Sequence, residues 1–122
     1  MKHKGSLAMD STREEKVSTW VNSLRSDEFS QGTDQLCSRD SDGITRFCCL
    51  GVYAKVVGGY TEEYLSSSQG NGGPTAVYNE LNLLFGEELV DRAMAMNDAE
   101  ESSFEEIADY VEKYFHNKDL KE

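Results

Sequence analysis

The sequence predicts a helix-dominated α+β domain, with four to five helices around a central apolar helix and a small antiparallel β-hairpin. Three observations predict it. Apolar residues recur at helical spacing in several separate stretches. Residues 48–57 are apolar nearly all round, as in a helix buried on every side. Two short strand-like runs flank the turn Arg39-Asp40-Ser41-Asp42-Gly43.

The first helix is expected to begin near Ser11 or Thr12, with Asp10 or Ser11 as its cap. Glu14 and Glu15 suit its positive end. Val17, Trp20, Val21 and Leu24 fall on one helical face, and Trp20 is expected to anchor the core. Residues 26–32 read as a polar turn. Residues 35–38 and 44–47 read as the two strands of the hairpin. The central helix follows over 48–57 and stops at Gly58-Gly59. Gly51, inside it, is expected to permit close helix packing.

Residues 60–65 read as another short strand, and 66–73 as a flexible loop. Pro74 suits a helix start. A helix with Val77, Leu81 and Leu84 on one face then runs over 75–85 and stops at Gly86. Another is expected over 87–96, and 97–102 reads as a break. Ser103-Phe104-Glu105-Glu106 is a capping box: Ser103 caps the Glu106 amide and Glu106 reaches back. The last helix should run to about Phe115, with Phe104, Ile107, Ala108, Val111, Tyr114 and Phe115 inside. Residues 11–116 form one expected domain. Residues 1–10 read as a flexible N-terminus or an appended remnant, with Met9 near the natural start, and 117–122 as a charged tail that frays.

The formal net charge is −11, and it is unevenly spread. Residues 80–122 carry 13 acids and 4 bases, whereas 1–79 carry 10 and 8. Such a surface repels phosphate backbones, which disfavours direct nucleic-acid binding and favours a basic partner surface. The plainer reading is that acidity maintains solubility. No apolar run approaches a membrane span, and no signal-peptide stretch is seen. Three cysteines, two of them adjacent, fit buried apolar side chains in a reducing cytoplasm better than a disulfide framework.

Little in the sequence points to catalysis. His3 and His116 both lie near the termini, so triad chemistry has no obvious base. Zinc lacks a ligand set of the usual spacing. Asp40-Ser41-Asp42-Gly43 resembles part of a calcium loop, but alignment on Gly43 places Ser38 and Cys49 at key ligand positions, so a turn explains it better. The glycines at 70, 72 and 73 lack the Lys-Ser or Lys-Thr of a phosphate loop. No cofactor is expected.

Several segments stand out as an ordered set. They are Trp20-Val21-Asn22-Ser23-Leu24-Arg25-Ser26 with Gln31-Gly32, then Phe47-Cys48-Cys49-Leu50-Gly51-Val52. Met96-Asn97-Asp98 and Ser103-Phe104-Glu105-Glu106-Ile107-Ala108-Asp109 complete the set. In this order they resemble a family of small, largely uncharacterised proteins from tailed bacteriophages and prophages. The resemblance covers roughly 20–115. It departs where Tyr53 and Ala54 stand in place of a second cysteine on the central helix, and in the glycine-containing loop before Pro74. It implies a phage accessory gene and a host bacterial cytoplasm, and supplies no functional residues.

The leading expectation is therefore a non-enzymatic phage protein that binds a host protein, a defence component or nucleic-acid enzyme with a basic or DNA-binding surface. Its contacts would be Glu87, Glu88, Asp91, Glu101, Glu105, Asp109 and Glu112. The alternative is a binder that sequesters a nucleotide immune signal. Its candidates are Arg25, Arg46, Arg92, Asn97 and Asp98, with Arg39 as a further base and Tyr53, Tyr60, Tyr78 and Phe85 as stacking aromatics. A virion or assembly protein is a further class, and a homo-oligomer is open.

Overall fold

Helix α1 (Arg13–Leu24) opens on a capping box centred on Thr12 rather than on Asp10 or Ser11. The Thr12 hydroxyl accepts from the Glu15 amide at 3.0 Å, and the Glu15 carboxylate accepts from the Thr12 amide at 3.1 Å. Two amides without helical partners are thereby satisfied. The structure, a computed structural model, describes residues 12–33, 35–39, 41–66 and 75–121, with side chains described at neither 75 nor 116–121. The expectations for residues 1–11, the loop up to Pro74 and Asp40 lie outside the described residues. The inner face of α1 is the expected one: Val17, Trp20, Val21 and Leu24 are buried.

In place of a lone hairpin stands a three-stranded mixed sheet of order β1-β3-β2. Strand β2 (Cys37–Arg39) pairs antiparallel with β3 (Thr45–Phe47), setting Cys37 opposite Phe47. Strand β1 (Ser30–Gln31) adds in parallel to the other edge of β3, Gln31 beside Phe47. Two residues carry no alternation, so β1 exists only through this long-range pairing. Arg39, expected in the turn, is instead the last residue of β2. In the turn itself, Gly43 adopts φ +86°, and the Asp42 carboxylate accepts from the Ile44 amide at 3.2 Å.

Helix α2 (Cys49–Val56) is buried from Cys49 through Ala54. The other helices nevertheless do not ring it, so the expected central helix is not the organising element. It packs against α1, against α5 (Glu87–Asp98) and against the short α3 (Glu62–Leu65). Helix α6 (Phe104–Lys121) packs on α1 and α5, and α4 (Thr75–Phe85) chiefly on α5. The physical reason is the broad apolar stripe of α6, whose Phe104, Ile107, Ala108 and Val111 are all buried. Gly51 serves a different approach from the one expected. A Cβ there would lie 1.9 Å from the Leu36 carbonyl oxygen, so the glycine admits the backbone entering β2, not another helix.

Three further boundaries differ. Residues 62–65 form α3, not a strand, because the Thr61 hydroxyl caps the Tyr64 amide at 3.1 Å and Glu62 and Glu63 sit in the first turn. Helix α5 continues through Asn97 and Asp98, which were expected in a break. Helix α6 passes Phe115 and runs to Lys121. Its capping box forms as expected, with Ser103 and Glu106 exchanging bonds of 2.9 and 3.1 Å. Trp20, Tyr53 and Phe85 form the aromatic centre, their ring centroids 5.4–5.6 Å apart. Among the described residues no helix is long and apolar enough to cross a membrane.

Candidate functional site

The distinctive sequence segments converge on one buried side chain. Asn97, 1% exposed, lies in the last turn of α5 and bonds in four directions. Its Oδ1 accepts from the Gln31 Nε2 at 2.9 Å and from the Cys49 amide at 3.2 Å. Its Nδ2 donates to the Gly32 carbonyl and to the Asp98 carboxylate, both at 2.8 Å. Gln31 extends the network: Nε2 also donates to the Ser102 carbonyl at 2.7 Å, and Oε1 accepts from the Phe104 amide at 3.1 Å. On the far side the Trp20 indole donates to the Cys49 carbonyl at 2.9 Å. A primary amide has two donors and two acceptor lone pairs. All four are used in Asn97, so no capacity is left for an incoming ligand.

The cysteines belong to the same interior. Cys37, Cys48 and Cys49 are free thiols, all buried. Burial pushes the Cys48 thiol up to about 12 and the Cys49 thiol well above its ordinary value. The thiolate is the reactive form, so both are held inert. Tyr53 and Tyr60 share one carboxylate: their hydroxyls donate to Glu80 at 3.3 and 2.7 Å. The bond to Glu80, with burial behind it, pushes the Tyr60 hydroxyl up to about 12, and burial raises that of Tyr53. Tyr78 is half-buried and raised by burial.

The other ligand candidates are spread over the fold. Arg25 caps the end of α1, Arg46 lies mid-β3, and Arg92 on α5 pairs with Glu100. Arg39 on β2 reaches Glu62 at 3.8 Å. Tyr53 and Phe85 are core residues. Of the candidates, Asn97 and Asp98 are bonded to each other. No family, curated protein or solved structure matches the chain. The site therefore rests on its own geometry.

On the outside, Glu87, Glu88, Asp91, Glu101, Glu105, Asp109 and Glu112 are all exposed. They form two sets of three, with Glu101 apart from both. Glu87, Glu88 and Asp91 occupy the first half of α5. Glu105, Asp109 and Glu112 recur at i, i+4 and i+7, forming one stripe along α6. Glu101 lies between the helices with φ +56°. The α6 stripe borders α1, where Arg25 Nη2 reaches Asp109 at 2.6 Å and Glu112 at 2.9 Å. Those two hydrogen bonds raise the Arg25 guanidinium above its ordinary value.

Two cavities open along the same border. One, of about 250 Å³, has Val17, Val21 and Phe115 as its apolar lining. The other, of about 260 Å³, has Leu24, Phe29 and Phe104. Among the described residues no group of three or more His, Cys, Asp or Glu is placed to hold a metal ion. The Gln31 hub, the Glu80–tyrosine pair and the role of Arg25 all escape sequence reasoning. Gln31-Gly32 is one of the segments singled out in the sequence, which was its one available signal.

Proposed function

We propose that this chain is a non-enzymatic phage accessory protein that binds a protein in the host bacterial cytoplasm through its acidic surface. The phage setting rests on the resemblance carried by the ordered sequence segments. The binding mode rests on one observation: seven carboxylates on α5, α6 and their connection all face solvent. A partner with a lysine- and arginine-rich surface, such as one that ordinarily meets nucleic acid, complements that charge. Such complementarity speeds encounter, and salt screens it over about 8 Å at physiological ionic strength. The inert thiols and the saturated Asn97 amide fit a surface-acting protein.

The test is affinity capture from bacterial lysate at low and high salt, beside a variant carrying Glu87→Lys, Asp91→Lys, Glu105→Lys and Glu112→Lys. The expected result is a stoichiometric basic partner, released by salt and not captured by the variant. Capture that survives the reversals overturns the reading. No partner at either salt also overturns it, and a thermal-shift screen with nucleotides becomes the next experiment.

A further inference from the structure

We infer that the seam between α1 and α6 is the seat of a basic, partly apolar segment of the partner protein. This rests on the acidic-surface reading and narrows it, because charge alone does not choose between the acids of α5 and those of α6. Concavity and an apolar floor do.

The two helices pass each other in opposite senses. The Arg13 guanidinium, at the start of α1, lies 5.5 Å from the ring centre of Phe115, and Arg25, at its end, grips Asp109 and Glu112. The Arg25 clamp thus stands between the two cavities. Arg25 lines one of them and Glu112 the other. Each is smaller than the roughly 300–1,000 Å³ of a cofactor or drug site, so each suits a single side chain. The helical rise from Val17 to Leu24 sets the cavities about 10 Å apart. That span matches two turns of a partner helix, or three extended residues.

Charge identifies the occupant. Glu14 and Glu112 rim the first cavity, and Asp27 and Glu105 rim the second. Both arginines in the seam are already engaged, Arg13 by the Phe115 ring and Arg25 by two carboxylates. Arg13 keeps its charge beside the ring and Glu112 is held by Arg25, so the first cavity is chiefly apolar and the acidic rim is that of the second, at Asp27 and Glu105. An aliphatic side chain fills the Val17–Val21 cavity. A lysine or arginine lays its stem on Phe29 and Phe104 and offers its charge to Asp27 and Glu105.

The experiment is an amide NMR titration of the full ¹⁵N-labelled chain. The probe is a synthetic helical peptide with leucine and lysine two turns apart, compared with the same peptide carrying glutamate for lysine. Shifts confined to α1, residues 25–31 that follow it, and α6, for the lysine peptide only, are expected. Two double variants follow: Ser18→Arg with Glu105→Lys in the seam, and Glu87→Lys with Asp91→Lys on α5. All four positions are exposed, so both variants should fold. The seam pair should weaken the peptide at least about tenfold and the α5 pair less than about threefold. The reverse ranking overturns the seam while leaving the acidic reading intact. No binding of the lysine peptide to the unaltered chain overturns both. Seam shifts that grow with protein concentration without peptide assign the seam to a second copy. A tenfold gain in peptide affinity on removing residues 1–8 assigns it to the chain's own N-terminus. Either assignment overturns the proposal.

Discussion

The interior around Asn97 and the outer surface of α5 and α6 treat polar groups in opposite ways. Inside, Asn97 and Gln31 together bond to residues 32, 49, 98, 102 and 104, and all but the Asn97–Asp98 bond join parts of the chain that are distant in sequence. Outside, the carboxylates of α5 and α6 stand in solvent, and Arg25 gathers two of them. An amide buried without partners is costly, whereas an exposed carboxylate is already served by water. The interior is therefore bound to particular residue types at particular positions. The exterior is bound only to a sign of charge. This explains why the segments most distinctive in the sequence speak about the fold, while the reading of function rests on residues that are individually replaceable.

The comparison breaks most readily at its inner pole. Gly51→Ala should have the largest effect, because its Cβ would collide with the Leu36 carbonyl rather than with a movable side chain. A loss of at least about 3 kcal/mol in urea unfolding is expected. Asn97→Ala should follow at about 3 kcal/mol, since it strands the Cys49 amide and the Gly32 carbonyl in the interior. A cost below 1 kcal/mol for Asn97→Ala would dissolve the distinction between the two regions.

Alkali sharpens the comparison without mutation. Tyr60 titrates at about 12 in the folded chain against an ordinary value of 10, so the folded state holds its proton more tightly. Stability from this group is complete below pH 10 and is lost as pH rises from 10 towards 12. Burial shifts Tyr53 and Tyr78 in the same direction. Urea midpoints measured from neutral pH upwards should hold steady to about pH 9, fall as the buried Cys48 and Cys49 thiols begin to cost stability, and fall more steeply above pH 10; Tyr60→Phe should flatten only the part above pH 10. Smaller effects lie at the edges. Thr12→Ala, which removes the α1 cap, should cost about 1 kcal/mol. Arg25→Ala should cost less than about 1 kcal/mol, because its partners are well exposed. If Arg25→Ala rivals Asn97→Ala, the surface is structural after all.

Where spacing is local, the sequence is a good guide. The inner face of α1, the stop at Gly86 and the Ser103–Glu106 box all depend on residues within one or two turns. The Thr12–Glu15 box was legible by the same rule, one residue beyond the expected cap. What resisted reading depends on distant partners. Strand β1 is defined by Phe47, the helical end at Asn97 by Gln31 and Cys49, and the need for glycine at 51 by Leu36. Residues 60–65 misled differently. Their aromatic and apolar content suits a strand, but Thr61 with Glu62 and Glu63 gives a stronger helix-start signal. Of the candidate site, the sign and location of charge were legible, but the seam that concentrates it was not, because it needs residues 25 and 109 side by side.

The pairing of α1 with α6 also bears on how the chain comes into being. Arg25 and Asp109 are 84 positions apart. At about 5–20 residues per second, a ribosome needs roughly 4–17 s to make the second after the first. Throughout that interval Val17 and Val21 have been made without the helix that borders them. Early folding can bring α2 to α1, yet closure awaits the last segment, and long-range closure of this kind is slow. A nascent chain stalled before Phe104 would therefore present a greasy, uncovered α1 to chaperones, and completion of α6 is the event that retires it.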